Sequence, residues 1–187
     1  LLAIPFFILA GVIMEYAGIS RRLINLANAC VGHYRGGLAV VTVVVACFFA
    51  AISGSGPATV AAIGGVLIPA MKDAGYDKRF ATAIVASSGG IGMVIPPSIP
   101  FVIYAMLAEQ SVGTMFMAGI IPGVLMGVAF AVAALLYLRN DQHVIRQEKA
   151  PMVKRWEALK DAFWGLMTPV IILGGIYGGV FTPTEAA

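Results

Sequence analysis

Ile52-Ser-Gly-Ser-Gly-Pro-Ala-Thr59 stands in the middle of Gly36 to Met71, an uncharged run of 36 residues, and its reading decides the fold. As one helix the run would be about 54 Å long, nearly twice the hydrocarbon thickness of a bilayer. Two ordinary spans do not fit either, because Ser53-Gly-Ser-Gly-Pro57 leaves arms of about 15 residues that reach only about 22 Å each. A re-entrant hairpin over residues 36–72 resolves the conflict. Its arms enter and leave on one side, and its tip lies near midplane, where irregular backbone survives only inside protein or beside a water-filled cavity. The competing reading is a polar turn outside the membrane; such turns usually carry a charge, and this one carries none.

Composition supports lipid as the solvent. The 187-residue chain is 60% hydrophobic and 11% charged, with a mean hydropathy of +0.93, whereas soluble domains average roughly 25% charged. Its remaining uncharged runs are Leu1 to Met14, Phe80 to Ala108, Gln110 to Leu138 and Ala162 to Thr184. The last two are ordinary spans. Around Arg21 and Arg22, the residues Leu23, Leu26, Ala27, Cys30 and Val31 recur at helical spacing, which predicts an interfacial amphipathic helix completing a first unit over 1–35; extension of a neighbouring span is the alternative. Cys30 and Cys47 form no CxxC pair, and two cysteines with two histidines, His33 and His143, spread along the chain argue against a disulfide framework or a zinc site.

The tip has chemistry to offer. An arm that ends at Ile52 presents unpaired carbonyls, and with the Ser53 and Ser55 hydroxyls these can replace water around a hard cation such as Na⁺. An arm that starts after Pro57 points free amides at the same spot, which suits a carboxylate. Residues 79–109 repeat the theme, since Ser87-Ser-Gly-Gly-Ile-Gly92 and Pro96-Pro-Ser-Ile-Pro100 interrupt a second apolar run. Two half-helices around an unwound centre are expected, as in transporters with discontinuous helices; a ligand-free proline kink is the alternative. No Asp, Glu, Lys, Arg or His lies inside either run, which favours metal-cation over proton coupling and leaves Ser55 without the base a serine nucleophile needs. Gly119, Gly123 and Gly127 form a small-residue ridge that serves helix packing.

Basic residues crowd Arg139 to Asp161, which the positive-inside rule places in the cytoplasm as a loop over 139–161. Counting back through the 110–138 span puts Glu109 outside and Lys78 and Arg79 inside, so the hairpin opens to the cytoplasm. The net charge of +3 then reports orientation and lends no support to nucleic-acid binding. The start at Leu1 without an initiating Met, and the helix-start pattern Phe-Thr-Pro-Thr-Glu-Ala-Ala at the far end of unit 162–187, read as a fragment.

The chain resembles the large membrane subunit of TRAP transporters, the tripartite ATP-independent periplasmic carriers (DctM-like). The matching stretches are Ile4-Pro-Phe-Phe-Ile-Leu-Ala-Gly11, Ile52-Ser-Gly-Ser-Gly-Pro-Ala-Thr59, Leu67-Ile-Pro-Ala-Met71, Ile95-Pro-Pro-Ser-Ile-Pro100, Ala118-Gly-Ile-Ile-Pro-Gly123 and Gly178-Gly-Val-Phe-Thr-Pro-Thr-Glu-Ala-Ala187. The resemblance implies an all-α, multi-pass protein of the bacterial inner membrane. It implies an elevator-type secondary carrier, of which this chain is the first half of an inverted repeat and the start of the second. Such a carrier is a symporter that takes up organic acids (C4-dicarboxylate, sialic acid or a similar carboxylate) with Na⁺ as coupling ion and no other cofactor. It works with a small membrane subunit and a periplasmic substrate-binding protein. By motif match, Ser53, Gly54, Ser55, Ser88, Gly89 and Gly92 are the expected ion-binding residues, and Ser55, Thr59 and Ser98 the expected substrate contacts. A sodium-coupled dicarboxylate carrier without a binding protein and a passive anion channel are the other readings.

Overall fold

The computed structural model describes residues 3–34, 36–139, 149–180 and 182. Among these residues there are α-helices and one 3₁₀ turn and no strand. The helices are α1 (Ala3–Tyr16), α2 (Ile19–Val31), α3 (Gly37–Ser53), α4 (Gly56–Asp73), α5 (Lys78–Gly89), α6 (Ile99–Leu107), α7 (Val112–Leu138) and α8 (Met152–Tyr177), with the 3₁₀ turn at Gly90–Met93 between α5 and α6. The helices α7 and α8 are each long and apolar enough to cross a membrane, and α1 with α2, bent by 66° at their junction, would make a third candidate. The helix start expected at 183–187, and residues 140–148 of the basic loop, lie outside the described residues.

The two halves of the 36–72 run double back on each other. Left-handed Gly54 (φ 61°) ends α3, and Ser55 begins the cap of α4. The Thr42 hydroxyl donates to Met71 Sδ (3.6 Å), so the first turns of α3 lie beside the last turns of α4. The arms run 17 and 18 residues, longer than the arms of about 15 expected. The helix boundaries also shift: α3 continues through Ser53, and α4 begins at Gly56 with Pro57 inside its first turn. Proline is tolerated there because that amide has no helical partner anyway.

The 27-residue α7 acts as a ruler for depth. A Cβ at Gly36 would touch Leu138 and Leu135 at 3.2 and 3.3 Å, which puts the mouth of the hairpin at the end of α7. About two-thirds of the way along α3, Cys47 Sγ sits over Gly127, where a Cβ would be 2.9 Å away. The tip lies further on, at the level of Gly119 to Gly123, because Gly54 is bonded to Ile99, which falls between Ile95 at Gly123 and Phe101 at Gly119. The pair α5/α6 runs the length of the same helix in the opposite direction. Phe80 stacks on Tyr137 with centroids 4.9 Å apart, Ile95 fills the notch at Gly123, and Phe101 packs on Gly119.

Two expectations are corrected. On α2 the buried residues are Ser20, Leu23, Ile24 and Ala27, whereas Cys30 is exposed, because the stripe that meets α3 and α8 runs through Ile24. The charged stretch expected as a loop to 161 is helical from Met152. Pro151 supplies an extended lead-in, and Ala162 and Gly165 are buried on the face turned toward α2, so the charges of Lys154 to Asp161 ride on the first turns of α8.

Candidate functional site

Two breaks in helical structure meet at one place. Ile99 N–H donates to the Gly54 carbonyl (3.1 Å), tying the tip of the hairpin to the start of α6. The tip has no room for a side chain there. A Cβ at Gly54 would lie 2.6 Å from the Pro97 carbonyl oxygen, in addition to needing left-handed backbone. On the other side, the α5 end fits against the start of α4. A Cβ at Gly56 would meet the Gly89 carbonyl at 2.9 Å, and one at Gly92 would meet Thr59 Oγ1 at 3.0 Å and the Ser55 carbonyl at 3.1 Å.

The same local device builds both breaks. Ser55-Gly-Pro57 and Ser98-Ile-Pro100 each place an extended serine as N-cap, with proline at the second helical position. Ser55 Oγ accepts from Ala58 N–H and Ser98 Oγ from Phe101 N–H, both at 3.4 Å. Two helix N-termini, of α4 and α6, are therefore aimed into the junction. The C-terminal ends of α3 and α5 arrive beside them; the Gly54 N–H takes up the Ala50 carbonyl, the Gly90 N–H turns back on the Ser87 and Ser88 carbonyls, and α5 runs on into the 3₁₀ turn. The partial charges at such ends have opposite signs, so one junction offers both a cation-seeking and an anion-seeking side.

The hydroxyls are arranged between these ends. Ser53 Oγ and Thr59 Oγ1 are 3.2 Å apart, and Thr59 Oγ1 also donates to the Ser55 carbonyl at 2.8 Å. Ser53 is 2% exposed and Thr59, Ser88 and Ser98 are 0% exposed, whereas Ser55 is half-buried and Pro57 exposed, which makes the α4 N-terminus the open edge. Ser98 Oγ donates to the Met93 carbonyl at 2.6 Å while it caps α6, so its proton and a lone pair are both engaged. Ser88 Oγ is different: it is buried and has no hydrogen-bond partner. An unpaired buried hydroxyl costs about 1–3 kcal/mol. It stands next to Gly89, and Ser20 Oγ, Asn28 Oδ1 and His33 Nδ1 are other buried polar atoms without a partner.

All the residues named from the sequence, Ser53, Gly54, Ser55, Thr59, Ser88, Gly89, Gly92 and Ser98, thus fall on the facing ends of α3, α4 and α5 and on the lead-in to α6. The sequence reading missed the backbone partners: Pro97, whose carbonyl faces Gly54, Met93, which holds Ser98, and Gly11 of α1. A Cβ on Gly11 would sit 3.2 Å from Ser53 Cβ. Glycine at 54, 56, 89 and 92 was the available signal, since each is a place where another backbone comes close. Among the described residues no three of His, Cys, Asp and Glu gather into a metal site.

A family model, described as "Tripartite ATP-independent periplasmic transporter, DctM component", matches residues 1–187. The chain belongs to the DctM family. It is 52% identical over its full length to the isethionate TRAP transporter permease protein DctMQ of Oleidesulfovibrio alaskensis, covering 29% of that protein. It is 51% identical to the C4-dicarboxylate TRAP transporter large permease protein DctM of Pseudomonas aeruginosa, covering 44% of it. It is 46% identical to the ectoine TRAP transporter large permease protein TeaC of Halomonas elongata, again covering 44%. All of this chain aligns in each case, and it spans less than half the length of these DctM-family relatives.

Proposed function

We propose that this chain forms the first half of a permease that imports a small organic anion together with Na⁺, across the inner membrane of a bacterium. The observation that carries the reading is the convergence of two helix N-termini and two helix C-termini on buried hydroxyls without one charged side chain. In this reading Ser53, Gly54, Ser55, Ser88, Gly89 and Gly92 surround the ion, through the Ser hydroxyls and nearby carbonyls. Desolvating Na⁺ demands several hard oxygens, and the orphaned Ser88 hydroxyl fits that demand. The substrate anion takes the open edge at Ser55 and the α4 N-terminus, with Thr59 buried behind it and bonded to the Ser55 carbonyl. Ser98 contributes by holding the amides of α6 toward the same edge.

The hairpin is re-entrant in this proposal, since its tip stops at the level of Gly119 to Gly123, short of the N-terminal end of α7 at Val112. The junction then sits near midplane, as the sites of inverted-repeat carriers do. Movement of the hairpin and α5/α6 as a body past α1, α2 and α8 would make the carrier an elevator. The family supplies the partners we expect: a small membrane subunit, which the relative named DctMQ points to as a fusion, and a periplasmic binding protein that delivers the substrate. Relatives carry names with isethionate, C4-dicarboxylates and ectoine. Their shared feature is a carboxylate or sulfonate, and that is the substrate class proposed here.

The test uses the full-length permease with its partners in proteoliposomes. Uptake should require an inward Na⁺ gradient, and Ser53→Ala should raise the Na⁺ concentration for half-maximal uptake roughly tenfold while insertion stays normal. Flux that ignores Na⁺ would support an anion channel instead, and uptake without any binding protein would support the simpler dicarboxylate carrier.

A further inference from the structure

One apolar side chain lies across the open edge of the junction. Met93 closes the 3₁₀ turn, and although its neighbours Ile91 and Gly92 are buried, Met93 itself is 45% exposed. Its backbone is held in place. The Ser98 hydroxyl donates to its carbonyl at 2.6 Å, and the amide that follows, Val94 N–H, donates to the Ile91 carbonyl at 2.9 Å. The thioether is the adaptable part, an unbranched apolar chain on a fixed base.

That chain reaches the first turn of α4. A Cβ at Gly56 would lie 2.9 Å from Met93 Cε and 3.3 Å from its Cγ, so Met93 fills the space that a side chain at 56 would need. Half-buried Ser55 precedes Gly56 and exposed Pro57 follows it. The two sides of the edge therefore differ in chemistry. The Ser55 hydroxyl and the α4 N-terminus suit an anionic group, whereas a thioether and a proline ring carry no charge and offer no strong hydrogen bond. When the first side holds a carboxylate, the second meets the carbon attached to it.

We propose that Met93 is a specificity-determining residue, the wall against which the carbon beside the substrate's anionic group packs. The assignment rests on the substrate edge proposed above and adds the shape that edge accepts: a small carboxylate whose neighbouring carbon is unbranched. A methyl branch there presses into the Met93 side chain, and one misplaced carbon in an apolar pocket is worth about tenfold or more in discrimination. Preference for negative charge stays with Ser55 and the α4 N-terminus.

The purified full-length permease with its small subunit would be titrated, in Na⁺, with succinate and with meso-dimethylsuccinate, which has a methyl branch beside each carboxylate. Each apparent Kd is read from the rise in melting temperature. The parent should bind succinate about tenfold more tightly than the branched acid. Met93→Ala should bring the two to within about twofold, chiefly by improving the branched acid, and Met93→Leu, of similar volume, should keep the preference. Ser55→Ala tests the underlying edge, because it should weaken both acids several-fold and leave their ratio alone. A ratio unchanged by Met93→Ala, with both acids still weakened by Ser55→Ala, would overturn the role of Met93 and leave the edge standing. Failure of succinate to bind the parent, or indifference of both acids to Ser55→Ala, would remove the edge and the assignment with it. If Met93→Ala does not insert, Met93→Val supplies the smaller side chain, and an unchanged ratio there overturns the proposal equally.

Discussion

The hairpin and the broken pair α5/α6 solve one problem in two ways. Each interrupts an apolar run, and each restarts it with serine, any residue and proline. The hairpin needs only Gly54 and Ser55 between its helices and reverses direction, whereas α5 and α6 are separated by Gly90–Ser98 and continue along α7. The difference lies in the turn. A left-handed glycine at 54 folds the chain back on itself, while the 3₁₀ turn and the proline pair Pro96-Pro97 carry the second segment onward. A reversal gives a tip that can be surrounded, and a passage gives the surface that surrounds it. The first is therefore the place to expect the ion, and the second the place that holds it in register.

The strongest way to break this comparison is at the contact between the two. Gly54→Ala adds a Cβ 2.6 Å from the Pro97 oxygen and forces a left-handed alanine. The combined cost is about 3 kcal/mol or more, which predicts uptake reduced roughly a hundredfold in the full-length permease. Gly90→Ala is the control, because a Cβ there meets nothing within 4 Å, and uptake should stay within about twofold. Equal losses at both positions would mean that the glycines serve only flexibility.

Next in size is Gly92→Ala, whose Cβ would press on both Thr59 Oγ1 and the Ser55 carbonyl. If the passage holds the tip in register, spreading those two oxygens should weaken the Na⁺ dependence of uptake about tenfold. An unchanged Na⁺ requirement with normal uptake would detach the 3₁₀ turn from the ion site. Ser88→Ala sharpens the same point by sign. Its hydroxyl has no partner, so removal should leave the melting temperature in Na⁺-free buffer unchanged or raised, while the added stability on Na⁺ titration shrinks by up to about 1.5–3 kcal/mol. A loss of stability without Na⁺ would show that Ser88 has a structural partner instead.

These particulars show what the sequence made legible. Uncharged length against bilayer thickness was enough to infer a reversal at Ser53 to Pro57, and the glycine and proline clusters placed the second break. Both follow from local backbone chemistry, which a sequence carries explicitly. The junction between the breaks was not legible, because the contact of Gly54 with Pro97 joins residues that no periodicity relates. Nor was the helical start of α8 at Met152, where charge density masked the packing stripe of Ala162 and Gly165. Ser98 illustrates the gap at the site itself. Its position as a polar residue among prolines was plain, but its bond to the Met93 carbonyl depends on how the lead-in folds.

The smallest expected effect separates the twin caps. Ser55→Ala and Ser98→Ala each remove an N-cap, worth about 1 kcal/mol of helix stability. Ser98 loses more, since its hydroxyl also satisfies the Met93 carbonyl at 2.6 Å in a fully buried setting, and that carbonyl would be left unpaired. The added penalty is about 1–3 kcal/mol, so Ser98→Ala should lower the apparent melting temperature clearly more than Ser55→Ala. Transport should rank the other way for substrate. Ser55 lies at the open edge and Ser98 is enclosed, so Ser55→Ala should raise the substrate concentration for half-maximal uptake several-fold, while Ser98→Ala changes that value by less than about twofold in whatever protein still inserts. Thermal unfolding and uptake measured on the same two preparations decide it. If the two serines prove interchangeable in both measurements, reversal and passage are equivalent breaks, and the tip has no special claim to the substrate.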